Sequence, residues 1–184
     1  MPEILIAPNA VLSQTTQEYD FNKGDKFLSS LLNGMEKALL LANDPKGVGL
    51  AAPQIGKSLR IFLAKPKEKS KITAFINPKV VEIEQNSHKP GARSKKQVKL
   101  EGCLSLPNIW GEVKRSSNVI ISYQTADKKL HTKEFSGFMA TIVQHEMDHL
   151  EGILFPRRVL EQKGKLYKSS KNKKGEDQFE ELEI

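Results

Sequence analysis

The chain has one cysteine in 184 residues, so no intramolecular disulfide can form and a reducing compartment is the natural setting. Its opening, Met1 to Ala10, has no basic stretch followed by a long apolar run, and does not read as a secretory signal. No apolar run approaches the ~20 residues that cross a bilayer. A cytoplasmic protein with no membrane partner is expected. Aromatic residues make up 7% of the chain, and no aromatic-studded motif accompanies its basic runs, so no specific nucleic-acid sequence is expected as a partner. The glycine-rich stretch Gly47–Gly56 lacks the Gly-Lys-Ser/Thr ending of a phosphate loop. Internal repeats are absent.

What is present is enough for one substantial core: 38% of the residues are hydrophobic. Net charge is +7, carried largely by Lys163–Lys174 and by the stretch around Arg93-Ser94-Lys95-Lys96. Such a surface can meet RNA, ribosomal RNA included, through phosphates, although runs of this kind are more often solvated. Apolar residues recur at spacings of three and four from Asp25 to Asn43 (Phe27, Leu28, Leu31, Leu32, Met35, Leu39, Ala42), which predicts a core-facing helix stopped at Asp44-Pro45. Residues 3–12 read as extended. Short β-branched runs at 59–63, 72–76 and 79–83 predict an antiparallel meander, with Asn77-Pro78 dividing the last two. Glu84–Lys99 reads as a mobile surface loop. Asn118–Tyr123 and His131–Phe135 predict a hairpin, and Ser136-Gly137 opens a helix that Gly152 closes. The expected class is α+β, with antiparallel sheets surrounding that central helix. One domain is expected over residues 1–158, followed by a polar helix or tail over 159–184.

The second helix carries Gln144-His145-Glu146-Met147-Asp148-His149. Histidines at i and i+4 lie on one helix face and can converge on one ion, with Glu146 placed to take a proton from a bound water. Two histidines at this spacing can also be a solvated face, so a third ligand matters. Downstream of His149 there is no further histidine, and Glu151 falls on the wrong face. The sole cysteine, Cys103, follows a glycine in Glu101-Gly102-Cys103-Leu104-Ser105-Leu106-Pro107. A lone cysteine is more often inert and buried. Beside two histidines and a carboxylate it becomes the better third ligand, for zinc or ferrous iron, in a site with an open fourth position. His88 and His131 have no ligand-like neighbours and read as surface residues.

Gly47–Gly56, Glu101–Pro107 and Gln144–Gly152 together resemble, in order, the three signature segments of the peptide deformylases. Asn77-Pro78 and Leu154-Phe155 fit the same family, and the similarity spans roughly residues 3–158. The resemblance implies a hydrolase that removes the formyl group from the N-terminal formyl-methionine of newly synthesised polypeptides. It places Cys103, His145 and His149 on a divalent metal, where a metal-bound hydroxide attacks the formyl carbon with Glu146 as general acid/base. It implies that Gln54 and the backbone N–H of Leu104 hold the formyl oxygen, and that the Val48, Gly49 and Leu50 stretch binds the peptide as an added strand. Val48, Phe138 and Ile142 are candidates for the methionine pocket, since Phe138 and Ile142 precede His145 by seven and three positions. The family points to Fe2+ in the cell, with Zn2+, Ni2+ or Co2+ in preparations. Formylated nascent polypeptides are the implied partners, with the ribosome a further one. A metalloprotease cutting internal bonds and an inactive binding protein on the same scaffold are the alternatives.

Overall fold

Phe62, Phe75, Ile121 and Phe135 sit on neighbouring strands, and directly paired strand residues share one face. The computed structural model, which describes residues 3–43, 45–83, 100–172 and 175–183, gathers them into a single layer. Strands β1 (Gly49–Ala51), β2 (Ile61–Ala64), β3 (Thr73–Ile83), β6 (Asn118–Gln124) and β7 (Leu130–Ser136) form an antiparallel sheet in the order β1-β2-β3-β6-β7. Strands β4 (Leu100–Cys103), β5 (Leu106–Glu112), β8 (Leu166–Lys171) and β9 (Asp177–Leu182) form a second, in the order β4-β5-β8-β9. Helices α1 (Asp25–Leu41), α2 (Gly137–Leu150) and α3 (Phe155–Glu161) complete the α+β architecture.

Each face of the first sheet has its own helix. Leu28, Leu31, Met35, Ala38 and Leu39 of α1 pack with Leu50, Ile61, Leu63 and Ile76. Phe27, expected in that stripe, is exposed and stacks on Tyr19 instead. The other face gives Phe62, Phe75, Val119, Ile121 and Phe135 to Ala140, Ile142, Val143, Met147 and Leu150 of α2. Phe62 and Phe75 stack with centroids 4.5 Å apart. A fully buried side chain of this size contributes about 1.5–3 kcal/mol over exposure, so this layer fixes α2 firmly. The helix ends at Gly152, whose φ of +68° is the left-handed turn that glycine adopts without cost.

Three expectations need correction. Asn77-Pro78 does not divide two strands, because β3 runs through it with a register irregularity at Ile76/Lys79. Proline is tolerated where the ladder is interrupted, and Asn77, at φ +50°, ties its side chain to both backbone groups of Tyr19. Residues 3–12 are not extended throughout, since Ala10–Ser13 form a 3-10 turn capped by Asn9. The third concerns residues 159–184. Beyond α3 they form neither a helix nor a tail but the β8–β9 hairpin, which joins the second sheet through β5. Leu166 and Leu182 turn inward onto Phe155 and Val159, while the Lys-rich and Glu-rich strands face each other through Lys165–Glu181 and Lys171–Asp177. The expected loop Glu84–Lys99, with His88, lies outside the described residues. His131 is exposed.

Candidate metal centre

Helix α2 turns its apolar residues toward the first sheet and sets His145 and His149 one turn apart, ring centroids 5.0 Å from each other. They face Cys103, which ends β4 at a register irregularity just before the tight Leu104-Ser105 turn into β5. The Cys103 Sγ lies 3.2 Å from His149 Nε2, and the ligand atoms of Cys103, His145 and His149 all fall within 4.8 Å of one another. Ligand atoms on a tetrahedral ion with Zn–S and Zn–N bonds of ordinary length stand roughly 3.5 Å apart. The three residues expected as ligands are therefore brought together.

A polar network holds the first histidine. His145 Nδ1 meets Glu101 Oε2 at 3.1 Å, which leaves Nε2 for an ion. Arg115 grips Glu101 with Nε and Nη2 at 2.8 and 3.0 Å and reaches Asp148 with Nη1 at 2.6 Å. Arg158 closes the chain on Asp148 at 2.7 Å. Burial would raise the Glu101 pKa, but His145 and Arg115 outweigh it and bring the carboxyl to about 2. Burial also opposes charge on His145, yet its bonds to Cys103 and Glu101 raise its pKa well above the usual value. Surroundings that favour a proton there favour a cation in its place. Burial, with the charges of His145 and Arg115, pushes His149 well below the ordinary range and keeps it neutral, as a ligand must be.

Glu146 is 3% exposed, and burial pushes its pKa up to about 7, the pull of nearby His145 being smaller. Its Oε2 and His149 Nδ1 are buried with no hydrogen-bond partner among the described residues. Unpaired buried polar atoms are costly and rare; here they lie beside a thiol and two imidazoles. The donor set fits a divalent cation. Gly49 lies directly against the carboxylate, and a Cβ there would collide with Glu146.

Gln54, fully buried in the 3-10 turn Ala52–Ile55, accepts from the Ala51 N–H at 2.8 Å through Oε1. That bond aims Nε2 at Cys103 Sγ (3.6 Å) and at Ser105 Oγ (3.2 Å). A cavity of about 800 Å³ opens over the cluster, lined by Val48, Gly49, Gln54, Leu104, Phe138, Ile142, His145 and Glu146 among others. Leu50 is the exception among the expected contacts. Its side chain is fully buried toward α1, and it does not line the cavity. The Val48 carbonyl accepts from Lys65 across the ladder, so by antiparallel alternation Gly49, not Leu50, directs its backbone groups to the edge of β1 that no strand among the described residues pairs. Sequence reasoning missed Arg115, Asp148, Ser105 and the role of Glu101; Glu101 stood inside the Cys103 motif, whereas Arg115 gave no local signal.

The geometry has counterparts. The model of the polypeptide deformylase family matches residues 1–165. Peptide deformylase 1 of Bacillus cereus is 38% identical over 157 residues, covering 85% of this chain and 91% of the relative. The peptide deformylase of Borreliella burgdorferi is 36% identical over 155 residues, covering 83% and 84%. Among solved structures, the Thermotoga maritima peptide deformylase superposes with a TM-score of 0.72 at 31% identity, over 86% of this chain and 97% of that one. The Met-Ala-Ser-bound class I type b peptide deformylase of Acinetobacter baumannii gives a TM-score of 0.71 at 30% identity, over 85% and 96%.

Proposed function

The chain belongs to the peptide deformylase family, and on that premise we propose that Cys103, His145 and His149 hold its divalent metal while Glu146 moves the protons of the reaction. The reaction is hydrolysis of the formamide at the N-terminal formyl-methionine of newly made polypeptides. The observation that carries the site assignment is the convergence of a thiol, two imidazoles and an unpaired buried carboxylate on one open cavity.

A divalent cation held by these ligands supplies Lewis acidity, acidifying a water and polarising the formyl oxygen. The chain's own residues do the rest. Glu146 takes the proton of the attacking water and delivers it to the amine nitrogen as the C–N bond breaks, releasing formate and a free α-amine. Gln54 Nε2, fixed by the Ala51 bond, and the Leu104 N–H donate to the oxygen on which charge develops. The peptide lies along the free edge of β1 and pairs with the backbone of Gly49, which gives affinity with little sequence preference. Val48, Phe138 and Ile142 enclose the methionine side chain. Arg115, through Glu101, fixes the ring of His145.

Ferrous iron is the cation this reading takes for the cell, with zinc, nickel or cobalt substituting in preparations. A thiolate-bound ferrous site is oxygen-sensitive, so activity should fall in air and persist anaerobically with iron or with nickel. Equal rates of fully loaded zinc and iron forms would contradict the assignment. The substrate's origin on the ribosome supports a cytoplasmic enzyme that works on newly made chains. Lys165 and Lys171 are paired with Glu181 and Asp177 of the opposite strand, which counts against a role for these two in meeting ribosomal phosphates. The functional test sets formyl-Met-Ala-Ser beside casein: formate should be released from the first and the second left intact. Internal cleavage of casein would favour the protease alternative.

A further inference from the structure

The β8–β9 hairpin lies beyond residue 165, where the family model ends, and little of it is buried. One face of the second sheet packs Leu166 and Leu182 toward α3. The opposite face carries Trp110, Tyr167, Ser169 and Phe179, as the pairings Trp110↔Tyr167 and Ser169↔Phe179 require. Phe179 is 46% exposed on the outer strand of the described sheet. What it touches is Trp110, edge to face, with centroids 5.9 Å apart and planes at 86°. The Trp110 Nε1–H donates to Ser169 Oγ at 3.1 Å. On its other side the indole covers Gly102, the residue before Cys103, so closely that a Cβ there would lie 2.9–3.1 Å from three ring carbons. Trp110 thereby becomes a wall of the substrate cavity.

We propose that Trp110 is a specificity-determining residue that receives the substrate chain beyond its methionine, and that Ser169 and Phe179 of the C-terminal hairpin are the residues that position it. The inference rests on the deformylase reading. A cavity of about 800 Å³ is of the size that takes a ligand of several groups, more than one methionine side chain fills. A chain leaving the metal centre past Leu104 meets the indole, whose face takes apolar and aromatic side chains and peptide planes. Without its two hairpin contacts the indole is free to swing off Gly102, and that wall is lost while the metal centre is unchanged.

Trp110 is the only tryptophan in the chain, so protein fluorescence reports on it directly. The experiment compares metal-loaded wild type, Ser169→Ala and Phe179→Ala on formyl-Met-Ala and formyl-Met-Ala-Phe, and follows tryptophan emission as the product peptide Met-Ala-Phe is added. Wild type should show the lower KM for the longer substrate, and Met-Ala-Phe should shift its emission. Each variant should raise KM for formyl-Met-Ala-Phe about two- to tenfold, the range of one aromatic contact, with kcat and the KM for formyl-Met-Ala held. Equal changes on both substrates would reduce the hairpin to a structural role, and an emission spectrum indifferent to Met-Ala-Phe would overturn the proposal. If wild type released no formate from either substrate, the deformylase reading would fall, and the emission titration would still decide whether Trp110 meets a peptide.

Discussion

Two polar clusters share helix α2 and differ in one respect. In the chain Glu101–Arg115–Asp148–Arg158 each charged group meets an opposite charge at 3.0 Å or less. A few ångströms away, Glu146 Oε2 and His149 Nδ1 are buried with no partner among the described residues. The satisfied cluster is scaffold: buried charges persist only when paired, and pairing fixes geometry. The unpaired Glu146 oxygen is where the attacking water and the substrate's amine would complete the bonding. Two carboxylates two positions apart on α2, Asp148 and Glu146, are thus sorted into support and chemistry by whether their hydrogen bonds are complete. The contact between His145 Nδ1 and Glu101 joins the two.

Substitutions can sharpen that division. Of three substitutions, the largest effect is expected at the cavity: Gln54→Leu removes an oxyanion donor and should lower kcat by about 10²–10³, read as formate release at matched metal content. A rate within a factor of a few of wild type would remove Gln54 from the reaction. Crossing to the scaffold, Glu101→Gln weakens the group that orients His145 and should reduce metal affinity about 10–100-fold, measured by competition with a chelator. Unchanged affinity would mean the network serves folding alone. The smallest effect belongs to an exposed ion pair at the rim of the satisfied cluster, where Glu161 also meets Arg158 at 3.0 Å. Arg157 and Glu161 pair at 3.0 Å but stand in solvent, so Arg157→Ala should cost about 0–1 kcal/mol in thermal unfolding, with turnover unaltered.

How much of this was legible beforehand follows from the range of each interaction. His145, Glu146 and His149 lie within five positions of one helix, so spacing alone put the two histidines on one face, and α1 and the β6–β7 hairpin followed from local periodicity. Cys103 needed elimination, because strand topology brings it to His149 across 46 positions. Arg115 was invisible: its partners are 14 and 33 positions away and nothing local marks it. The β8–β9 hairpin was missed because Leu166 and Leu182 are its main inward residues. Two leucines among lysines, serines and glutamates give no period-two signal, and the strands are held by pairing with β5 and with each other. Asn77-Pro78 misled because proline usually ends a strand, whereas here it sits at an irregularity that the ladder absorbs.

The central claim is that Glu146 carries protons and does not hold the metal. It is tested most directly by measuring, on one preparation of Glu146→Ala, both bound metal per chain and formate released from formyl-Met-Ala-Ser. Metal content equal to wild type with a rate lowered by about 10²–10⁴, the usual contribution of a positioned acid–base group, is the predicted result. A variant that keeps its metal and deformylates at a near-normal rate would contradict the assignment.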